Sequence, residues 1–204
     1  MLRRIFTLVM LATMVVGYAQ AQFSFGAKAG FNLVNIYGSD VEDVKMKPAF
    51  QAGLVADYSF IEAFAVQAGV MFAQQGWKVD NYLGGSDDAK INLNYIQIPI
   101  NAMYKFSLGS SMKLFAQAGP YLGFGLGGKV KVGDNDMDIK FGDGDDIDKL
   151  YLDNAFDFGL GVGVGLQYNS FQLGVGYNFG LLDLDDDTTM KNGGLAITLT
   201  FLFM

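Results

Sequence analysis

The sequence predicts an all-β protein: a closed antiparallel eight-stranded transmembrane β-barrel behind an N-terminal signal peptide. Three observations predict it. Large apolar residues alternate with small or polar ones at period two along nearly the whole chain after residue 22, the repeat of a strand and not of a helix. The chain is 51% hydrophobic yet carries 27 glycines and only 3 prolines, and no run after the leader is long and apolar enough to be a spanning helix. The links between the alternating segments are short and long by turns.

The leader comes first. Arg3 and Arg4 supply a positive start, residues 5–17 (IFTLVMLATMVVG) an apolar stretch of signal-peptide length, and Ala19-Gln20-Ala21 the small residues of a cleavage site. The signal peptide is therefore expected over 1–21 and the mature barrel domain over 22–204. A membrane anchor is the alternative, but the run falls short of the roughly 20 residues a helical span needs.

Eight strands follow, each expected near the 9–11 residues of a tilted membrane strand. The first sets Phe23, Phe25, Phe31 and Leu33 against Ser24, Gly26, Lys28 and Gly30. The second sets Phe50, Leu54 and Tyr58 against Gln51, Gly53 and Asp57, and the third Phe64, Val66, Val70 and Phe72 against Gln67 and Gly69. The fourth opposes Ile96, Ile98, Ile100 and Tyr104 to Gln97 and Asn101; the fifth opposes Leu114, Leu122 and Phe124 to Gln117, Gly119 and Gly123. The sixth, FDFGLGVGVGLQY (156–168), alternates large residues with Asp157 and four glycines. The seventh pairs Phe171, Leu173, Val175 and Phe179 with Gln172, Gly174 and Gly176, and the eighth pairs Leu195, Ile197, Leu199 and Phe201 with Ala196, Thr198 and Thr200.

The less apolar face is what separates a membrane barrel from a soluble sandwich. A sandwich turns charges outward to water. Here that face is glycine, amide and hydroxyl, which suits the crowded inside of a barrel just wide enough to be filled by side chains. The bulky face then meets lipid, and closure pairs every backbone N–H and C=O, as hydrocarbon requires. Links at 61–63, 107–113 and 169–170 are short; those at 37–48, 76–91, 126–153 and 183–193 are long, the pattern of periplasmic turns and external loops. Both termini are expected to be periplasmic. Aromatics collect at both ends of the outward face as two girdles. Pro99 and Pro120 fall inside strands of a barrel without edges, so a bulge or missing ladder bond is expected there.

The words YIQIPINAMYKF (95–106), KLFAQAGPYLGF (113–124), FQLGVGYNFGL (171–181) and LAITLTFLFM (195–204) resemble the PorT-like outer-membrane β-barrel family, over essentially the whole mature chain. The resemblance implies an integral outer-membrane barrel of a diderm bacterium. The family's namesake is linked to protein secretion, and most of its members have no assigned activity.

Chemistry is sparse. With no cysteine and no histidine, disulfides, Cys/His metal sites and Ser–His catalysis are excluded. The two glutamates, Glu42 and Glu62, stand far apart in this topology, so the protein is read as non-enzymatic and without a cofactor. Removing Arg3 and Arg4 takes the net charge from −7 to −9, all of it on the long links. An acidic rim disfavours nucleic acid. The stretch DNDMDIKFGDGDDID (134–148) has two readings. Asp134, Asp136, Asp138, Asp143 and Asp145 form a weak Ca²⁺-binding loop, or the stretch is a solvated acidic loop; the absence of EF-hand spacing favours the second. Trp77 and Tyr82 are expected as interface anchors above the outer rim. Inside, Lys28, Asp57 and Asp157 are the expected charges, with Lys28 and Asp57 paired as a structural lock, since a lone buried charge is strongly unfavourable. The expected partners are outer-membrane lipid, other envelope proteins and divalent cations at the acidic loops. The leading function is a membrane-embedded scaffold or surface-interaction protein. A narrow pore for small solutes, or an accessory part of a secretion apparatus, is the alternative.

Overall fold

The computed structural model describes residues 23–39, 44–80, 88–133, 135–142, 149–152, 154–184 and 189–203; the expected leader lies outside them. Wherever the sequence alternates at period two, the chain is strand. In order these are β1 (Phe23–Tyr37), β2 (Val44–Lys45), β3 (Lys47–Ile61), β4 (Phe64–Val79), β5 (Ala89–Ser107), β6 (Met112–Val132), β7 (Asn135–Phe141), β8 (Lys149–Leu152), β9 (Phe156–Tyr168), β10 (Phe171–Gly180) and β11 (Lys191–Phe203). Eight of them form a ring, β1-β3-β4-β5-β6-β9-β10-β11, every neighbour antiparallel. The ring closes where β11 pairs β1 from Phe25↔Phe203 to Tyr37↔Lys191.

The faces divide as the alternation requires. Leu54 is 66% exposed and Val164 62%, while Asp57 and Asp157, on the opposite parity, are 2% and 1% exposed. Outward rings gather at the short-turn end, in the pairs Phe23–Tyr58, Phe64–Tyr104 and Phe171–Phe201, and at the far end in Phe50–Phe72 and Phe124–Phe156. The two-residue turn Asn169-Ser170 uses a left-handed Asn169 at φ 49°, a conformation asparagine tolerates better than most residues.

Two of the four inward glycines of β9 are docking places for rings. Gly159 lies opposite Tyr121 and Gly165 opposite Phe115. A Cβ at either would stand 2.4 Å from the facing ring. Strand β6 therefore supplies the bulk that β9 omits, and the two together fill one sector of the lumen.

The prolines interrupt pairing without shifting it. The β5–β6 ladder runs to Pro99↔Tyr121 and resumes at Ala102↔Ala118 in the same register, and the β4–β5 ladder lapses between Ala68↔Ile100 and Met71↔Gln97. The register shift in β5–β6 comes higher, between Asn94 and Tyr95.

The barrel strands run longer than the sequence reading expects. β5 has 19 residues and β6 has 21, so parts of the expected loops 76–91 and 126–153 are strand. The reason is an inversion of polarity. On β4 the outward parity passes from Phe72 to Gln74 and Lys78, and the inward parity from Gln67 to Trp77 and Val79. On β5 outward Ile96 gives way to Asn94, Asn92 and Lys90, while inward Gln97 gives way to Tyr95, Leu93 and Ile91. Below the change the strand faces lipid; above it the strand faces water and buries its inner side. Beyond the rim β6 leaves β9 at Phe124↔Phe156 and pairs β7 instead, β8 joins β7 in parallel, and β2 adds to β4. The result is a sheet, β2-β4-β5-β6-β7-β8, standing on the long-link end of the barrel.

Under that sheet lies an apolar core of its own. Ile36, Ala89, Ile91, Leu93, Tyr95, Ile139, Leu152 and Leu184 are buried together, and Trp77, Val130, Phe141 and Met190 pack on them. Trp77 thus points into this cap instead of anchoring at the interface, because it has inward parity on β4. Tyr82 lies outside the described residues.

Candidate functional site

The lumen holds the polar side chains that the alternation turns inward. Near the short-turn end, Lys105 donates to both oxygens of Asp57, at 3.1 and 3.0 Å. The pair is buried, with side chains 5% and 3% exposed. Gln67 donates to Asp57 Oδ2 at 3.4 Å and to Gln172 Oε1 at 3.0 Å, and accepts from Lys28 Nζ at 2.5 Å. Gln172 in turn donates to Gln167 Oε1 at 3.2 Å. Six strands, β1, β3, β4, β5, β9 and β10, are tied across the interior by these contacts.

Lys28 and Asp57 are both interior, but they are joined through Gln67 and not directly. A symmetric first hairpin would bring 28 and 57 level; the observed register puts Lys28 opposite Gly53 and Ser24 opposite Asp57. Asp57 thus sits lower in the barrel, within reach of Lys105. Lys105 has inward parity between Tyr104 and Phe106. It stands outside the expected interior charges Lys28, Asp57 and Asp157 because, from one sequence, a lysine so near a turn looks like a rim residue.

Asp157 occupies a second level, nearer the cap. Tyr121 Oη donates to its Oδ2 at 3.2 Å and Asn192 Nδ2 donates to the same oxygen at 3.1 Å. Lys47, buried higher on β3, donates to Asn92 Oδ1 at 2.6 Å and to the Gln75 carbonyl at 3.5 Å. Between the levels is a chamber of about 60 Å³, lined among others by Lys28, Gln51, Gln97, Asn101, Gln117 and Asn178. At the short-turn mouth a wider vestibule of about 440 Å³ is lined by Ser24, Ser110, Ser111, Lys113, Gln167 and Ser170.

The acidic stretch is partly strand. Asp136 and Asp138 lie in β7 and face Lys131 and Lys129 across the β6–β7 ladder, each at 3.6 Å. Asp134, Asp143 and Asp145 lie outside the described residues. Among the described residues no three His, Cys, Asp or Glu side chains converge as a metal-holding group. Across the sheet, Lys45 and Lys78 both hold Asp80, and Lys78 also reaches Asp88 at 2.8 Å. These two lysines keep the Asp80 carboxyl down at about 2.

The family described as "Outer membrane protein beta-barrel domain" matches residues 18–186. Among solved structures, the chain is similar to Ail, the attachment invasion locus protein of Yersinia pestis, with 15% identity and TM-score 0.46 over 89% of this chain and 99% of that one. It is similar to the neisserial surface protein A, with 20% identity and TM-score 0.49 over 88% and 97%. It is similar also to OprG from Pseudomonas aeruginosa, with 13% identity and TM-score 0.48 over 89% and 96%. No curated protein matches the chain.

Proposed function

The chain belongs to the outer membrane protein beta-barrel domain family, and on that premise we propose that it is a closed, non-conducting and non-enzymatic scaffold that presents a folded sheet at the cell surface. An outer-membrane barrel of a Gram-negative bacterium spends its strand surface on lipid; what remains for function is the lumen and the two rims. One observation carries this reading. The lumen narrows to a chamber of about 60 Å³, room for about four or five waters, and above it the apolar cap is filled by Leu93, Tyr95, Ile91 and Ile139. Among the described residues, these side chains leave a solute no continuous polar path.

The PorT-like type, with both termini periplasmic and the long-link end outside, fits the short turns at the opposite rim. On this reading the exposed face of β2-β4-β5-β6-β7-β8 is the contact surface for other envelope proteins. Its charges, Lys129, Lys131, Asp136 and Asp138, form half-exposed cross-strand pairs that a partner can exchange at little cost.

Two measurements test the proposal. In planar bilayers the refolded mature protein should give no reproducible conductance steps; open-channel steps would establish the narrow pore in its place. Affinity capture from native membranes after mild detergent extraction should recover envelope proteins with the intact chain, and not with a variant lacking residues 133–153. Equal recovery with both would remove the sheet from the proposal.

A further inference from the structure

At the short-turn level of the lumen, just below the chamber, lysines outnumber carboxylates: Lys28 and Lys105 stand with Asp57 alone. Asp57 is fully occupied: Lys105 takes both oxygens, and Gln67 and Ser59 donate to it at 3.4 and 3.3 Å. Lys28, 9% exposed, therefore has no carboxylate left to it. Among the described residues its ammonium has one acceptor, Gln67 Oε1 at 2.5 Å, although an ammonium carries three donors. Two cations thus share one carboxylate at this level of the lumen, while Asp157, one level up, is held by Tyr121 and Asn192; an uncompensated buried charge is strongly unfavourable.

The chamber that Lys28 lines has walls of matching chemistry. Gln51, Gln97, Asn101, Gln117 and Asn178 bring amide groups to it. Gln97 is 4% exposed, and its Nε2 is buried without a hydrogen-bond partner. Among the described residues no carboxylate lines the chamber. An ammonium with spare donors and an unpartnered amide N–H, on two residues that line one void, suit an anion. The volume limits it to a very small one, since a single water occupies roughly 10–15 Å³ on this measure.

We propose that the chamber is a buried halide site, with Lys28 as the charged ligand and Gln97 as a neutral donor. A bound chloride would bring the Lys28–Gln67–Asp57–Lys105 group to neutrality and lock four strands, β1, β3, β4 and β5, around one ion. In the vestibule at the short-turn mouth, Lys113 makes no ion pair among the described residues and is the first cation an anion meets there. The site rests on the lumen being closed, but its occupancy is read independently of conductance.

The test uses bromide on the full mature protein refolded in detergent. Crystals grown in sodium bromide should show an anomalous peak in the chamber against Lys28 Nζ. Thermal melting should rise with sodium bromide over sodium gluconate at equal ionic strength. Lys28→Met should lose the peak and weaken the halide dependence of melting roughly tenfold or more, the scale of a hydrogen bond to a charged group. If that variant does not refold, Gln97→Met serves, with weaker occupancy expected. No peak in the wild type at saturating bromide, or an equal peak in Lys28→Met, overturns the proposal and leaves a chamber of water.

Discussion

At the scale of single residues, most of the specificity lies where one side chain takes space or charge from another. Asp57 and Lys105 are the plainest case. Truncating either partner leaves the other buried and unpaired, so Lys105→Met should destabilise the refolded protein by about 3–5 kcal/mol, read from denaturant unfolding in detergent. Asp57→Asn with Lys105→Met should cost less than the two single changes added, because both remove the same contact. Additive losses would mean that the ion pair contributes nothing. A second case is Gly125, opposite Tyr95 in the cap. A Cβ there would stand 2.2 Å from the Phe141 ring, and the nearest atoms it meets all belong to that ring. Gly125→Ala should raise protease sensitivity of the sheet at the long-link end, and Phe141→Ala in the same chain should restore part of the resistance. If the second change only adds damage, the ring is not what excludes a side chain at 125.

At the scale of elements, the change of polarity along β4, β5 and β6 explains both what the sequence announces and what it conceals. The membrane part is legible because its two faces contrast in one fixed sense: Phe64, Val66, Val70 and Phe72 out, Gln67 and Gly69 in. Residues 74–79 and 89–94 keep period two but swap the sense, so a reading that follows apolar-outward residues stops at the rim. The contrast that would have found them is Ile91 and Leu93 against Lys90, Asn92 and Asn94. The Lys28–Asp57 pairing failed for another reason. Parity gives the face, but height in a barrel depends on register, and an asymmetric hairpin moved Asp57 four positions from where symmetry puts it.

Two expectations belong to this scale. Leu93→Asp puts a charge in the cap and should open the sheet above it to protease while the membrane barrel stays folded. Loss of the whole fold would show that cap and barrel are one unit. The second concerns acid. Asp80 sits at about 2, below its ordinary 3.8, because Lys45 and Lys78 hold it. Its contribution to the β2–β4 pairing is therefore full above 3.8 and fades as pH falls through about 2. Hydrogen exchange at Val44 and Lys45 should accelerate relative to the membrane strands over that interval. An unchanged ratio would remove Asp80 as the clasp.

At the scale of the whole molecule, three layers stack along the barrel axis: a polar lock near the short turns, a small chamber and carboxylate level above it, and an apolar cap. The outer surface runs the other way, apolar across the bilayer and polar above. Cross-strand pairing closes the ring, so no edge within the membrane is left without a hydrogen-bonding partner strand. Everything proposed for function depends on this arrangement, because a filled lumen leaves the rims as working surfaces.

The absence of cysteine from the native chain permits the most direct test. Single cysteines at Val66, Val70, Phe72, Gln74 and Lys78 on the outward parity of β4, and at Gln67 and Met71 on the inward parity, would carry nitroxide labels in lipid bilayers. Collision with oxygen, which concentrates in hydrocarbon, should dominate at Val66, Val70 and Phe72. Collision with a water-soluble paramagnetic complex should take over at Gln74 and Lys78, and both should be low at Gln67 and Met71. Water-phase collision at Val70, or high accessibility at Gln67 and Met71, would contradict the account.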